Sequence, residues 1–428
     1  VLFALEEASS FWNTKLMWRL LLCTSLASFT LSFCRNFEEH AEGKDFRFQP
    51  GMLSFKSNSV IRFKHQWELL LCCVLGALTG VLGAVFNKLV ASLAAFRPRP
   101  AQSIVFDDDR EWADTFREIG RLLQQHSFRI GEVLTISVLT SALTFGLPWI
   151  GAYYGFACQV ESDEIAATEN VTGYTFETYP FYCETTWDAG KGRFCAERGC
   201  KQYNDMATIF LSSRENSILS LVEHQQAFSA RSLALISVCF FLLMVFSFGA
   251  AFPGGIFMPT IVVGCTFGAL FGRCAKYVSC VLDQVDGGCM AHNPFGQSEH
   301  GGSGLRLDDV GFSPHLDNVI EHTGPYALLG AVGLLGGIQR SSVSLVVIIV
   351  EGTGKVDYLL PIIFTTVCAK WVGDKLNDGI YHTMHRVKGI PFLENEPERG
   401  LQRLSAQDLM HKEPVVIQSA VRVREIRD

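Results

Sequence analysis

Charged residues are scarce in this sequence: Asp, Glu, Lys and Arg make up 18% of its 428 residues, whereas hydrophobic residues make up 48%. There is no basic stripe and no recognition motif for nucleic acid, so we expect no nucleic-acid partner. There is also no phosphate-binding loop and no nucleophile with a neighbouring base, which argues against an enzyme. Several apolar runs approach the roughly 20 residues that cross a bilayer. The composition therefore predicts an all-α polytopic membrane protein.

A signal peptide is absent as well. The sequence begins Val1-Leu2-Phe3-Ala4-Leu5-Glu6-Glu7, without Met and without a charged first region. The last residues, 421–428, also stop within a pattern. We therefore expect a piece of a longer protein that lacks its N-terminal part.

Apolar runs predict membrane helices over residues 14–33, 67–96, 130–150, 233–248, 257–282 and 358–372. A charged connector, 97–129, ends in an amphipathic piece at 112–125. Residues 206–211, 326–337 and 343–350 are too short to span a bilayer. Such discontinuous helices mark binding sites in transporters. Gly76, Gly80 and Gly83 lie on one side of their helix, where they would allow another helix to pack closely.

One apolar run stops, and the next begins, at Gly249-Ala250-Ala251-Phe252-Pro253-Gly254-Gly255-Ile256-Phe257-Met258-Pro259. A Pro-Gly-Gly break leaves N–H groups without partners, which is costly in hydrocarbon unless a ligand or a cavity meets them. The helix that begins near Phe257 also presents the positive end of its dipole. An anion site within the membrane satisfies these conditions. From this stretch alone, a surface loop or a kinked helix fits equally well.

Four of the fourteen cysteines share the long polar loop at residues 152–205: Cys158, Cys183, Cys195 and Cys200. Their clustering favours disulfides on an oxidising side, with the connectivity open. Zinc is the alternative, but no suitably spaced histidines accompany them. Asn170-Val171-Thr172 is a glycosylation acceptor. We therefore expect this loop to face the lumen or the outside.

Gly254-Gly255-Ile256-Phe257-Met258-Pro259 resembles the GxFxP signature of the CLC chloride channel and transporter family. Further blocks that resemble the family occur in its order: residues 1–7, 336–351 and 378–381. Residues 405–416 resemble the opening of a CBS domain. The resemblance implies a CLC-type inverted-repeat bundle of broken, tilted helices, of which this chain carries mainly the second half. It places the transmembrane domain at 1–388, a linker at 389–403, and the start of a cytosolic α/β CBS domain at 404–428.

The resemblance also implies roles for individual residues. Ile256 and Phe257 would offer backbone N–H groups to a central chloride, and the Tyr381 hydroxyl would donate to the same ion from the cytosolic side. Gly254, Gly255 and Pro259 shape the motif. Glu7 matches the glutamate that takes up protons in the exchangers, and Glu6 would have a lesser part beside it. No catalytic residue and no metal site are implied.

At the level of the whole protein, the resemblance implies exchange of two anions for one proton by a homodimer in lipid. Residues 10–13, 80–87 and 203–207 are similar to the lysosomal and vacuolar branch, so an endosomal, lysosomal or vacuolar membrane is expected rather than the plasma membrane. A passive voltage-gated channel and a truncated subunit that only dimerises remain alternatives. The family's GSGIP and GKEGP loops are missing, so preference for chloride or nitrate stays open. No cofactor is expected in this part, while CBS domains of the full-length protein could hold a nucleotide.

Overall fold

Helices dominate the computed structural model, which describes residues 6, 17–27, 29–30, 67–97, 112–160, 178–183, 202–224, 227–250, 252, 254–282, 323–353, 356–389 and 405. In chain order they are α1 (Met17–Ala27), α2 (Glu68–Phe96), α3 (Trp112–Tyr153), α4 (Asp205–Leu211), α5 (Arg214–Glu223), α6 (Ala230–Ser247), α7 (Phe257–Leu282), α8 (Gly324–Gln339), α9 (Val343–Thr353), α10 (Leu359–Leu376) and α11 (Ile380–Lys388). Within these ranges the only strands are β1 (Cys158–Val160) and β2 (Gln202–Asn204), which pair in antiparallel fashion.

Five helical segments of the described part are long and apolar enough to cross a membrane. They are Glu68–Phe96, Ser127–Tyr153, Ala230–Ser247, Phe257–Ser279 and Val356–Val387, the last of which joins α10 to α11. Large apolar side chains such as Leu70, Val138 and Val238 point outward and are exposed, as expected where lipid replaces water. The helical membrane architecture predicted from composition is confirmed. The inverted repeat and the CBS domain stay predictions.

Helix α8 is the centre of the fold, because all 16 of its residues are buried. Helix α2 packs against α8 and α10 through its glycines. A Cβ on Gly76 would lie 2.5 Å from the carbonyl oxygen of Thr365, and one on Gly80 would lie 2.5 Å from that of Ala369. The predicted close packing along the glycine face of α2 is therefore confirmed. Backbones that approach this closely gain van der Waals contact, which holds membrane helices together.

Small residues also join α7 to α8. Cβ atoms added at Gly264 and Gly268 would overlap the backbone of Ala331 and the carbonyl oxygen of Tyr326. One hydrophobic cluster runs through this contact and continues to α4, α5 and α6. Helix α7 is thus fixed in depth and rotation by backbone contact with the central helix. This fixes the position of its first turn, where the GxFxP motif lies.

Helix α3 differs from the prediction. The sequence predicts an amphipathic piece and a separate apolar helix, whereas the structure has one helix of 42 residues that includes Pro148 near its end. The residues between the two pieces, 126–129, contain neither Gly nor Pro, so nothing interrupts the backbone hydrogen bonds there. The change from charged to apolar residues along α3 therefore does not mark a break in the helix.

The predicted polar loop forms a small hairpin where it returns to the helices. Cys158 pairs with Asn204 across β1 and β2. The Asn204 side chain accepts a hydrogen bond from the amide of Ala207 at 3.1 Å, which caps α4. Helix α5 is not predicted by the apolar pattern. Its signal is Ser213, whose hydroxyl accepts from the amide of Asn216 at 3.2 Å.

Several predictions fall on residues outside the described ones. They concern the proton-transfer candidate Glu7, the cysteines Cys195 and Cys200, the glycosylation acceptor Asn170, the linker at 389–403, and the CBS segment apart from Ser405. These assignments stay predictions.

Candidate functional site

The chain between α6 and α7 leaves helical geometry where the Pro-Gly-Gly break is predicted. Helix α6 ends with the amide of Phe248 donating to the carbonyl of Met244 at 3.0 Å. Gly249 follows with φ = 79°, a left-handed conformation that glycine adopts without steric cost. Gly254 and Gly255 are exposed, and, apart from its chain neighbours, no described residue has an atom within 4 Å of the place where a Cβ of Gly255 would be. The backbone before α7 is therefore open to a small ligand.

Arg97, the residue after α2, holds the end of α6. Its Nη1 donates to the carbonyl oxygen of Phe248 at 2.6 Å, and its Nη2 donates to that of Phe246 at 2.7 Å. Its Nε makes an ion pair of 2.6 Å with Glu132 on α3. Three helices thus meet at one guanidinium just before the break. From the sequence alone, Arg97 is only the first charged residue of the connector at 97–129.

The first turn of α7 presents amide groups at a helix N-terminus. Among the described residues, none accepts a hydrogen bond from the N–H of Ile256 or Phe257. The Ile256 carbonyl already accepts from the amide of Thr260 at 3.2 Å, so helical geometry begins there. Pro259 lies in this first turn, where its missing N–H costs no hydrogen bond. The motif therefore leaves two donors and a positive dipole end in place.

Tyr381 lies beside the same part of the molecule, although it is distant from Ile256 in sequence. Ile256 and Ile380 are both buried in one hydrophobic cluster, to which α2, α6, α7 and α8 contribute. Tyr381 and Met384 pack against this cluster. Ile256, just before α7, and Ile380, at the start of α11, thus belong to the same cluster. Helix N-termini and a phenol that border one cluster are features that favour an anion over a cation.

Glu6 lies at the N-terminus of α9. Its Oε1 accepts from the amides of Ser342 at 2.6 Å and Val343 at 3.2 Å, and its Oε2 accepts from that of Ser344 at 3.0 Å. The hydroxyls of Ser341, Ser342 and Ser344 also donate to the carboxylate. Burial raises the pKa of Glu6, but the hydrogen bonds from Ser342 and Ser344 outweigh it and lower the pKa to about 2. A carboxylate with this pKa stays ionised at neutral pH and caps the helix.

The polar loop contains one disulfide among the described residues, between Cys158 and Cys183. It ties the start of β1 to the stretch 178–183, whose Tyr179 carbonyl accepts from the amide of Asn204 at 2.8 Å. No group of three or more metal-ligating side chains occurs in the part of the chain that the structure describes. The disulfide therefore holds the loop against the hairpin, away from the cluster at Ile256.

Comparison with known proteins matches this chain to the model of a known family. The family model for the voltage gated chloride channel covers residues 1–374. Chloride channel protein CLC-d of Arabidopsis thaliana is 28% identical over 434 residues, which cover 100% of this chain and 45% of that protein. H(+)/Cl(-) exchange transporter 7 of Bos taurus is 26% identical over 414 residues, or 96% of this chain and 40% of that protein. The chain thus spans less than half the length of these curated relatives.

A solved structure of a eukaryotic CLC transporter is 19% identical, with a TM-score of 0.38, and its match covers 76% of this chain and 36% of that one. That similarity is too low to support the fold by itself. The assignment rests on the family model, because it covers most of the chain, including the GxFxP motif and all but the end of α10. The chain belongs to the voltage gated chloride channel family.

Proposed function

We propose that the intact protein moves chloride or a similar small anion across a membrane, in exchange for protons. The observation that supports this proposal is that Ile256, just before α7, and Ile380, at the start of α11, are buried in one hydrophobic cluster against which Tyr381 packs. Neutral donors and helix dipoles can bind an anion weakly enough to release it, whereas a full positive charge would trap it. In this proposal the amides of Ile256 and Phe257 donate to the anion, and the Tyr381 hydroxyl donates from the cytosolic side.

Proton coupling is proposed for Glu7, on the family resemblance of the segment in which it lies. Its neighbour Glu6 accepts hydrogen bonds from three amides and three hydroxyls at α9. A group that is held ionised cannot exchange protons near neutral pH. We therefore assign proton transfer to Glu7 and an anchoring role to Glu6. The name of the Bos taurus relative, H(+)/Cl(-) exchange transporter 7, supports coupled exchange.

The experiment uses the intact protein in liposomes, with chloride efflux and proton uptake recorded together. We expect proton uptake to accompany chloride efflux, Tyr381→Phe to weaken chloride binding, and Glu7→Ala to abolish proton uptake. Chloride efflux that ignores the pH gradient identifies a passive channel, which the name of the Arabidopsis thaliana relative favours. Absence of chloride flux from the intact protein contradicts both functions and leaves a subunit that only dimerises.

A dimer in an intracellular membrane completes the proposal. Leu360, Val367 and Trp371 are exposed along one face of α10, next to the exposed Val343 and Val347 of α9. A second copy could cover this apolar face within the bilayer. Val367→Lys is expected to yield monomers in chemical cross-linking, whereas Val138→Lys on the lipid-facing α3 is the matched control and should leave dimers. Organelle localisation is tested by imaging of the tagged intact protein.

A further inference from the structure

Arg340 ends helix α8 in an unusual conformation. Its φ is 65°, in the left-handed region, and the residue is 5% exposed. Glycine is the usual residue at this position of a helix end, because a side chain there is strained. A buried arginine in this conformation therefore suggests that its side chain does something that glycine could not do.

The Arg340 guanidinium reaches across to the end of α10. Its Nη2 donates to the Asn377 side chain at 2.8 Å and to the Asn377 carbonyl at 3.3 Å, and its Nε lies 3.3 Å from Asp374. The guanidinium passes over Gly373, where any Cβ would overlap Nη1. A positive charge at a helix C-terminus is favourable. Arg340 thus connects the ends of α8 and α10.

The residues that follow are held from α2 as well. The Asn377 side chain donates to the carbonyl of Ala84 at 2.6 Å. Asn87 donates from its Nδ2 to the carbonyls of Ile338 at 3.1 Å and Asp378 at 3.2 Å. Residues 377–379, which lead into α11, are therefore fixed by hydrogen bonds from two helices, and Tyr381 is the second residue of α11.

We propose that Arg340 is a positioning residue for the anion site: by holding Asp374 and Asn377 it sets where α11 begins, and so where Tyr381 stands relative to Ile256. This inference rests on the proposed role of Tyr381 as an anion ligand. Arg340 does not itself bind the anion in this proposal, because Asp374 balances its charge. Tyr381 and Ile380 follow the held segment directly, so a shift of that segment moves both.

The test measures chloride affinity by calorimetry, with the intact protein and three variants. Arg340→Gln removes the guanidinium, and Asn377→Ala removes its acceptor. The matched control is Lys88→Gln, which removes an exposed cation on α2 beside Asn87 and none of the hydrogen bonds to residues 377 and 378. We expect Arg340→Gln and Asn377→Ala to weaken chloride binding about three- to tenfold, and Lys88→Gln to leave it unchanged.

A double-mutant cycle with Tyr381→Phe separates positioning from general damage. If Arg340 acts through Tyr381, Arg340→Gln causes little further loss of chloride affinity when Tyr381 is already Phe. Equal losses in both backgrounds overturn the proposal. If Arg340→Gln does not fold, Asn377→Ala serves in the same cycle. Should Tyr381→Phe alone leave chloride affinity unchanged, the proposed function of Tyr381 is wrong. If only the Arg340 and Asn377 variants have no effect, the positioning role is wrong and the function stands.

Discussion

Gly83 of α2 and Gly337 of α8 meet backbone to backbone, so that a Cβ on Gly83 would overlap the carbonyl carbon of Gly337. Helix α2 is also held by Gly76 and Gly80 against α10, and α8 by its backbone contact with Gly264 and Gly268 of α7, so neither helix can move away freely. We predict that Gly83→Ala lowers the stability of the protein by about 1–3 kcal/mol, as overpacking does in other cores.

Thermal unfolding in detergent measures this effect. Gly131→Ala on α3 is the matched control, because in the described part of the chain no atom outside the helix's own nearby backbone lies within 4 Å of a Cβ at that position. The control should be neutral or stabilise slightly, by up to about 1 kcal/mol, since alanine favours the helix. Equal unfolding temperatures for Gly83→Ala and the parent protein contradict the close packing.

Glu6→Gln tests the cap of α9. We predict a lower unfolding temperature at neutral pH, because an amide cannot accept all the hydrogen bonds that reach the carboxylate. The pKa of Glu6 is lowered from its usual value of 4.5 to about 2. The stability from Glu6 is therefore fully present above about pH 4.5 and is lost as the pH falls toward about 2.

The measurement compares unfolding temperatures of Glu6→Gln and the parent protein across this pH range. Their difference should be constant above about pH 5 and shrink below the usual value of the pKa of Glu6. Glu351→Gln, an exposed carboxylate near the other end of α9, is the control and should cause no loss. A difference that grows on acidification would show that Glu6 is not held ionised.

Arg97→Gln should weaken the junction of α2, α3 and α6. The substitution removes donors to Phe246 and Phe248 and leaves Glu132 without its ion pair. We predict a loss of about 2 kcal/mol in unfolding free energy, typical of hydrogen bonds to a charged group. Lys88→Gln, on an exposed face of α2, should leave the unfolding free energy unchanged. Unfolding in detergent distinguishes the two, and equal values for both variants would contradict the assignment.

Removal of the disulfide between Cys158 and Cys183 should lower the stability of the protein. We predict that Cys158→Ser together with Cys183→Ser destabilises the protein by roughly 3 kcal/mol, because the bond closes a loop with a sequence separation of 25. Peptide mapping without reductant should recover the two cysteines in one linked species. Cys23→Ser, at an exposed free cysteine, is the control. Separate recovery of the two peptides means that the bond does not form.

Local patterns were sufficient for most of the long apolar helices and for the break before α7, but not for α5 or for the full length of α3. Apolar runs and the glycine face of α2 follow from the chemistry of lipid and of small side chains, which act locally. The common cluster of Ile256 and Ile380 is different, since it depends on how α2, α7 and α8 pack. Only the family resemblance linked these two parts of the sequence.

The arginines Arg97 and Arg340 could not be predicted in the same way. An arginine after an apolar helix usually meets water or lipid headgroups, and nothing in the adjacent sequence shows that Arg97 turns toward α6. Gly373 is a weak signal for Arg340. A glycine is required at 373 only because the Arg340 guanidinium lies above it, which the sequence does not show. Glu6 had a better signal, in the serines at 341 and 342 that precede α9 and the serine at 344 in its first turn.

The length of α3 has a mechanical consequence. Its 42 residues extend about 63 Å, roughly twice the thickness of the hydrocarbon core. Its apolar part begins at Ser127, so the preceding turns extend the helix beyond the part that is apolar enough to cross a membrane. Glu132 lies near the start of the apolar part and is joined through Arg97 to the carbonyls that end α6. One ion pair therefore connects this long helix to the part of the chain that leads to Ile256.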